Sequence, residues 1–154
     1  MISIDYRLVQ GCPSTDREIT ADDLDYRYFL GDVCLAVDGT VIDARWGWVP
    51  IVHFVTLLLI AVGDLFRGQT HAEISFTENE AVICFDRRGL DIRVTATFTT
   101  TAAQCNLNEL RNVSVQFATQ FFDDIIQQRP SLLGAKAIDE RLHLIGEVSR
   151  LKVS

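Results

Sequence analysis

The longest apolar stretch of the chain is Trp46–Phe66, and it shows almost no period. In its middle only His53 and Thr56 are polar, so a helix here is apolar on every side and must be covered on every side. Pro50 suits the first turn of a helix, where its missing N–H would have no partner. The pattern predicts that residues 49–66 form the most buried helix of the protein.

Alternation of apolar and polar residues predicts strands before this helix. Residues 2–9 and 24–37 alternate in this way, which is typical of half-buried strands. The dipeptide 38–39, Asp-Gly, predicts a two-residue hairpin because both turn positions require positive φ. A third strand is therefore expected over residues 40–45. Residues 10–21 are rich in turn formers and are expected to form a surface loop.

Three more alternating stretches follow the central helix. Residues 72–77, 81–85 and 90–98 each place apolar side chains on one face and polar ones on the other. Tight turns are expected at Glu78-Asn79 and at Arg88-Gly89. The three stretches predict an antiparallel meander with one solvated face.

The period becomes helical from Asn106 onward. Asn106 and Glu109 have the spacing of a capping box, and Pro130 ends the pattern. Apolar side chains on one face and polar ones on the other predict an amphipathic helix between them. Ser131–Ser154 has apolar residues at helical spacing and also some alternation, so we expect a short helix and leave a strand open.

The order of elements is βββαβββα(α), which indicates an α+β protein with a single domain over residues 1–154. We expect one antiparallel sheet of about six strands, packed on the buried central helix and on the C-terminal amphipathic helix. Strand order is left open. The uncharged run from Trp46 to Gly63 approaches the roughly 20 residues of a membrane span. Its polar residues, and the arginines that flank it on both sides, favour a helix inside a water-soluble protein.

Composition narrows the classes of function. Twenty-one acidic and fourteen basic residues give a net charge of −7, which disfavours nucleic-acid binding because phosphate contacts need a basic surface. The N-terminus has charged residues and no apolar signal region, so a cytoplasmic location is expected. The cysteines have no C-x-x-C spacing, and we expect reduced, mostly buried thiols: Cys12, Cys34, Cys84 and Cys105.

Patterns typical of enzymes do not occur in the chain. There is no nucleophile elbow, phosphate loop or dinucleotide fingerprint. His53, His71 and His143 are too far apart in sequence to suggest a shared zinc ion. Acidic pairs occur in polar runs, where solvated carboxylates are the rule. We therefore predict a protein that is not an enzyme and that has no catalytic residue, no cofactor and no metal.

An acidic loop is the feature that best suggests a partner. Its acidic residues are accompanied by a single basic residue, Arg17, so the loop carries a concentrated negative charge. Such a charge speeds association with a basic protein. The second meander is expected to have a polar outer face with charged residues, which supports the same hypothesis. A homo-oligomer is left open. The candidate partner-binding residues are Asp16, Glu18, Asp22, Asp23 and Asp25.

A small apolar ligand is the alternative. Trp46 and Trp48 occupy alternate positions, which places both rings on one side of an extended segment. With His53 they are the candidate lining of a pocket between the sheet and the central helix. Aromatic rings beside a buried helix more often belong to the core.

Three segments carry a resemblance to a family of small, uncharacterised bacterial α+β proteins. They are ADDLDYRYFLGDV, ARWGWVPI and FTENEAVICFDRRGLDIRV, within Ala21–Asp124. The resemblance brings no catalytic residue to this chain. In size, acidity and α+β composition the chain is also similar to bacterial toxin-immunity proteins, which act by tight stoichiometric binding. This likeness implies a protein that binds and neutralises a basic partner.

Overall fold

The computed structural model describes residues 1–12 and 18–153 of the chain. The strands are β1 (Ile2–Gln10), β2 (Leu30–Val37), β3 (Thr40–Pro50), β4 (His71–Ser75), β5 (Val82–Arg88), β6 (Asp91–Ala96) and β7 (Ala102–Asn106), and the helices are α1 (Ile51–Phe66), α2 (Leu107–Gln128) and α3 (Lys136–Ser149). Strands β1, β2 and β3 form one antiparallel sheet, and β4 to β7 form a second. The α+β class is confirmed. The single sheet of about six strands is wrong, because α1 carries the chain from β3 into a separate sheet.

The first sheet is a meander with one tight turn and one wide bulge. Asp38 and Gly39 connect β2 to β3 with φ of 47° and 86°, which confirms the predicted hairpin. Strand β3 runs beyond the predicted end, since Trp46–Trp48 loops out of the pairing between Ala44 and Val49. The backbone N–H of Gly47 in this bulge donates to Asp32 Oδ1 at 2.7 Å. The bulge thereby turns the two tryptophans away from the first sheet.

Gly31 of β2 lies next to the point where the pairing between β1 and β2 shifts its register. There is no room for a side chain at this position. A Cβ atom at Gly31 would lie 1.9 Å from the carbonyl oxygen of Arg7. Gly31→Ala is expected to lower the free energy of unfolding by about 3 kcal/mol, the upper range for overpacking, because the obstacle is backbone. Urea denaturation measures the loss. Gly11→Ala is the control, since a Cβ there meets nothing within 4 Å, and equal stability of the two variants would contradict the register.

The prediction that a strand starts at residue 24 is wrong. Residues 23–27 form a single wide helical turn instead. Thr20 and Asp23 cap this turn reciprocally: the Thr20 N–H donates to Asp23 Oδ2 at 3.0 Å, and the Asp23 N–H donates to Thr20 Oγ1 at 3.2 Å. Leu24 and Tyr28 are buried, four positions apart. A spacing of four is typical of one face of a helix. The apolar residues of this segment also alternate, and this alternation is the reason for the wrong strand prediction.

The second sheet contains the predicted meander and one strand that the pattern did not reveal. Strand β7 pairs with β6 along its whole length, from Ala102 opposite Thr95 to Asn106 opposite Asp91. Its sequence, AAQCN, has no β-branched or aromatic residue, which are the residue types typical of strands. Its position is set by pairing with β6 and by the helix that starts directly after it.

Helix α1 is covered by β4, α2, α3 and the Asp23–Arg27 turn. Eleven of its sixteen residues are buried, which confirms the predicted central helix. Among the described residues, no helix combines the length and the apolar character that a membrane crossing needs. Arg87 of β5 donates from Nη1 to the carbonyl oxygen of Leu65 and so satisfies an acceptor at the end of α1.

The two C-terminal helices complete the core. The Asn106 side chain caps α2 as predicted, accepting from the Asn108 N–H at 2.8 Å. Glu109 does not close a capping box, because its Oε1 accepts from the Ile2 N–H at 2.9 Å and so ties α2 to β1. The helical interpretation of the C-terminal region is confirmed by α3. Cys34, Cys84 and Cys105 are free thiols, as predicted, but each of them, like Cys12, is partly exposed rather than buried.

Candidate functional site

The Asp23–Arg27 turn, the start of α1 and the helix α3 meet at one corner of the protein. Asp25 Oδ1 lies 2.6 Å from Arg141 Nη2 and 3.6 Å from His53 Nδ1. Arg141 Nη1 also donates to the carbonyl oxygen of Ala137 at 2.8 Å. We call Asp25, His53 and Arg141 the Asp25 cluster. It joins one residue from the predicted acidic surface to one from the predicted ligand pocket.

The Asp25 cluster is largely removed from water. The exposed fractions of the side chains are 9% for Arg141, 20% for Asp25 and 22% for His53. Within the described residues, Arg141 Nε has no hydrogen-bond partner. The guanidinium charge therefore depends on Asp25 for compensation, and an ion pair in such surroundings is much less screened than one at the surface. Asp25 thus holds the turn against α3.

The structure separates the five predicted partner-binding residues. Asp16 lies outside the described residues. Glu18 and Asp22 are exposed, and neither has a hydrogen bond or ion pair with the rest of the described chain. Asp23 is fully buried, and its Oδ1 lies 3.1 Å from Arg27 Nη1. The prediction of a wholly solvated acidic loop is therefore wrong for Asp23 and Asp25, whose carboxylates are used to fold the turn.

Tyr26 is the exposed member of the same turn. Almost half of its surface, 49%, is accessible, and its ring centroid is 6.0 Å from that of His53. Glu18 and Asp22 precede it on the exposed side of the segment. We call Glu18, Asp22 and Tyr26 the Tyr26 patch. It combines an aromatic ring, on a turn that buried contacts hold in place, with two carboxylates of the preceding residues that are exposed and have no partner in the described part of the chain.

Trp46 and Trp48 pack against each other in the bulge of β3. Their rings stack at 5.2 Å with an angle of 18°, so the prediction that both point to one side is confirmed. Trp46 also meets Phe76 and Phe98 edge-on at 5.1 Å, which links the bulge of the first sheet to the second sheet. The gap next to His53, between α1 and β4, measures about 10 Å³. A single water molecule barely fits such a volume, so the expected ligand pocket is not formed there.

A second polar cluster lies on the outer face of the second sheet. His71 Nδ1 is 2.7 Å from Asp86 Oδ1, and His71 Nε2 is 2.8 Å from Glu73 Oε1. These hydrogen bonds, that to Asp86 first, raise the pKa of His71. Burial, followed by the charges of Glu73 and Asp86, raises the pKa of Cys84 on the neighbouring strand. The positions of the histidines in the sequence do not predict this cluster. Its other members are not histidines, and they come from two paired strands.

A concave surface lies next to this cluster and shares Asp86 with it. It measures about 670 Å³, and its lining includes Asp86, Arg88 and Arg93. Within the described chain neither arginine has a hydrogen bond or an ion pair.

No family model, no curated protein and no solved structure matches the chain.

Proposed function

We propose that the protein acts by binding a basic partner protein, as an immunity or inhibitor protein does, and that the Tyr26 patch anchors the contact. One observation carries the proposal: a half-exposed tyrosine is fixed on a turn, and the segment that leads into this turn carries two exposed carboxylates with no partner in the described chain. Tyrosine is enriched among the residues that dominate binding energy at protein interfaces.

The patch is suited to binding because its turn is already ordered. Asp23 and Asp25 lock the turn from inside, so Tyr26 loses little freedom when a partner covers its ring. Glu18 and Asp22 would attract basic side chains, and the net charge of −7 favours encounter with a basic protein over long distances. The carboxylates thus supply steering, while the tyrosine supplies contact area.

A stable interface needs about 800 Å² on each partner, which is more than one turn provides. The hairpin after β4 is a natural extension. Ser75 and Thr77 line the same small gap as His53, and His53 contacts Tyr26. Glu78 and Glu80 lie one and three positions after Thr77 and are exposed. The extended surface therefore remains acidic, in agreement with a basic partner.

Quantitative affinity capture tests the proposal. The wild-type protein and the variant Glu18→Gln/Asp22→Asn/Tyr26→Ala are immobilised in parallel, and captured proteins from the source cell are compared. We expect a basic protein that the variant loses. With that protein purified, the variant should associate about tenfold more slowly at low salt, with a flatter dependence on ionic strength.

The matched control neutralises two charges and removes an apolar side chain elsewhere. Asp123→Asn/Glu140→Gln/Leu90→Ala changes only exposed residues, and it should bind as the wild type does. If every captured protein binds the patch variant and the control equally well, the Tyr26 patch is not a recognition surface.

A further inference from the structure

Paired positions on β4 and β5 bring three metal-binding groups together on the outer face of the second sheet. His71 lies opposite Asp86, and Glu73 lies opposite Cys84. A ring nitrogen of His71, a carboxylate oxygen of Glu73 and Cys84 Sγ all lie within 4.8 Å of one another. Directly opposed residues on neighbouring strands keep their Cβ atoms about 4.5–5.5 Å apart, so the backbone pairing maintains this arrangement.

Hydrogen bonds give His71 a defined orientation. Its Nε2 faces Glu73 at 2.8 Å, while its Nδ1 faces Asp86 at 2.7 Å. Metal-binding histidines commonly donate their second N–H to a carboxylate, which fixes the tautomer and increases the basicity of the ligand. Asp86 occupies the position of that carboxylate.

We propose that His71 Nε2, Glu73 and Cys84 bind a divalent transition-metal ion of the zinc class, with Asp86 orienting the imidazole. The site shares no residue with the Tyr26 patch and does not depend on the proposed function. It departs from the expectation of no metal that the sequence suggested.

The donor set decides the class of metal. Nitrogen, oxygen and thiolate sulfur together suit Zn²⁺, whereas Mg²⁺ and Ca²⁺ prefer oxygen ligands only. A bound ion replaces the 2.8 Å hydrogen bond between His71 Nε2 and Glu73 Oε1 by metal bonds of about 2.0–2.3 Å, and rotation of the exposed Glu73 side chain lets its carboxylate oxygen move to the required position. Binding displaces the thiol proton of Cys84 and the Nε2 proton that His71 donates to Glu73. Three protein ligands leave a fourth position for water or for a group from another molecule.

Cobalt is the probe, because a thiolate ligand on Co²⁺ gives a charge-transfer band in the near ultraviolet that carboxylates and imidazole do not. Metal-free protein is titrated with CoCl₂ and then with ZnCl₂. We expect one equivalent of Co²⁺ to develop the band and one equivalent of Zn²⁺ to remove it. Cys84→Ser should lose the band, and Asp86→Asn should weaken binding about 10–100-fold while keeping it.

Two variants control for metal binding elsewhere. Cys34→Ser removes a partly exposed thiol on the other sheet, and His143→Ala removes a histidine that lies 2.9 Å from Glu147. Both should titrate like the wild type, with circular dichroism confirming the fold of every variant. Absence of the band in the wild type, or its persistence in Cys84→Ser, would overturn the site and leave His71 as an imidazolium held between two carboxylates.

Discussion

Replacing Leu58 by Asp is expected to leave little folded protein. Leu58 is 1% exposed in the middle of α1. Loss of its side chain alone would cost about 2–5 kcal/mol, and an unpaired carboxylate buried in the same place adds several more. A domain of this size typically has about 5–15 kcal/mol of total stability. Chemical denaturation of Leu58→Asp should therefore show a midpoint near zero denaturant or no cooperative transition.

Ile60 provides the matched control on the same helix. It is 43% exposed, so an Asp at this position remains in water. Ile60→Asp introduces the same residue type into the same helix and should cost no more than about 1 kcal/mol. If the two variants melt alike, α1 is not the covered centre of the fold.

Local patterns predicted the elements whose structure depends on local chemistry. The uniform apolar run of α1 has no stable alternative to full burial, and Asp38-Gly39 has the φ values that its hairpin demands. The Asn106 cap follows from the same kind of rule. In each case the residues that define the element belong to one continuous segment, so the sequence alone contains the information.

Elements that depend on distant partners were missed or misassigned. Strand β7 owes its existence to pairing with β6. The Asp23–Arg27 turn was assigned to a strand because Leu24, Tyr26 and Tyr28 alternate, although buried contacts with α1 select the helical form. Division of the strands into two sheets likewise follows from the position of α1 between them, which no pattern within one segment reports.

The candidate sites were predictable as residue types and not as constellations. Asp25 and His53 were both selected, for different reasons, and only the fold shows them 3.6 Å apart. Arg141 was not selected, because a single arginine in an amphipathic helix normally faces water. The alternation of His71 with Glu73, and of Cys84 with Asp86, does place each pair on one face of a strand. Pairing of those two strands would have been the signal for the metal-binding cluster.

Asp25→Asn is expected to destabilise the fold rather than weaken a surface contact. The substitution leaves the Arg141 guanidinium, 9% exposed, without a counter-charge. Breaking a buried ion pair from one side costs about 3–5 kcal/mol, and the partial exposure of Asp25 reduces the expected loss to about 2–4 kcal/mol. Urea denaturation of Asp25→Asn, Arg141→Met and the double variant measures the loss. The double variant should be more stable than the sum of the single losses implies, since it leaves no uncompensated charge.

The exposed pair Lys136–Glu140 sets the scale for this comparison. Its atoms are 3.9 Å apart with side chains 88% and 60% exposed, so Lys136→Met should change stability by less than about 0.5 kcal/mol. The stability of Asp25→Asn, compared with its rate of association, also decides the role of Asp25. If Asp25→Asn keeps full stability but slows association with a captured partner, the carboxylate belongs to the recognition surface, as the acidic loop first suggested. A loss of stability near that expected, with an unchanged association rate for the folded fraction, assigns Asp25 to the support of the turn and leaves recognition to Tyr26, Asp22 and Glu18.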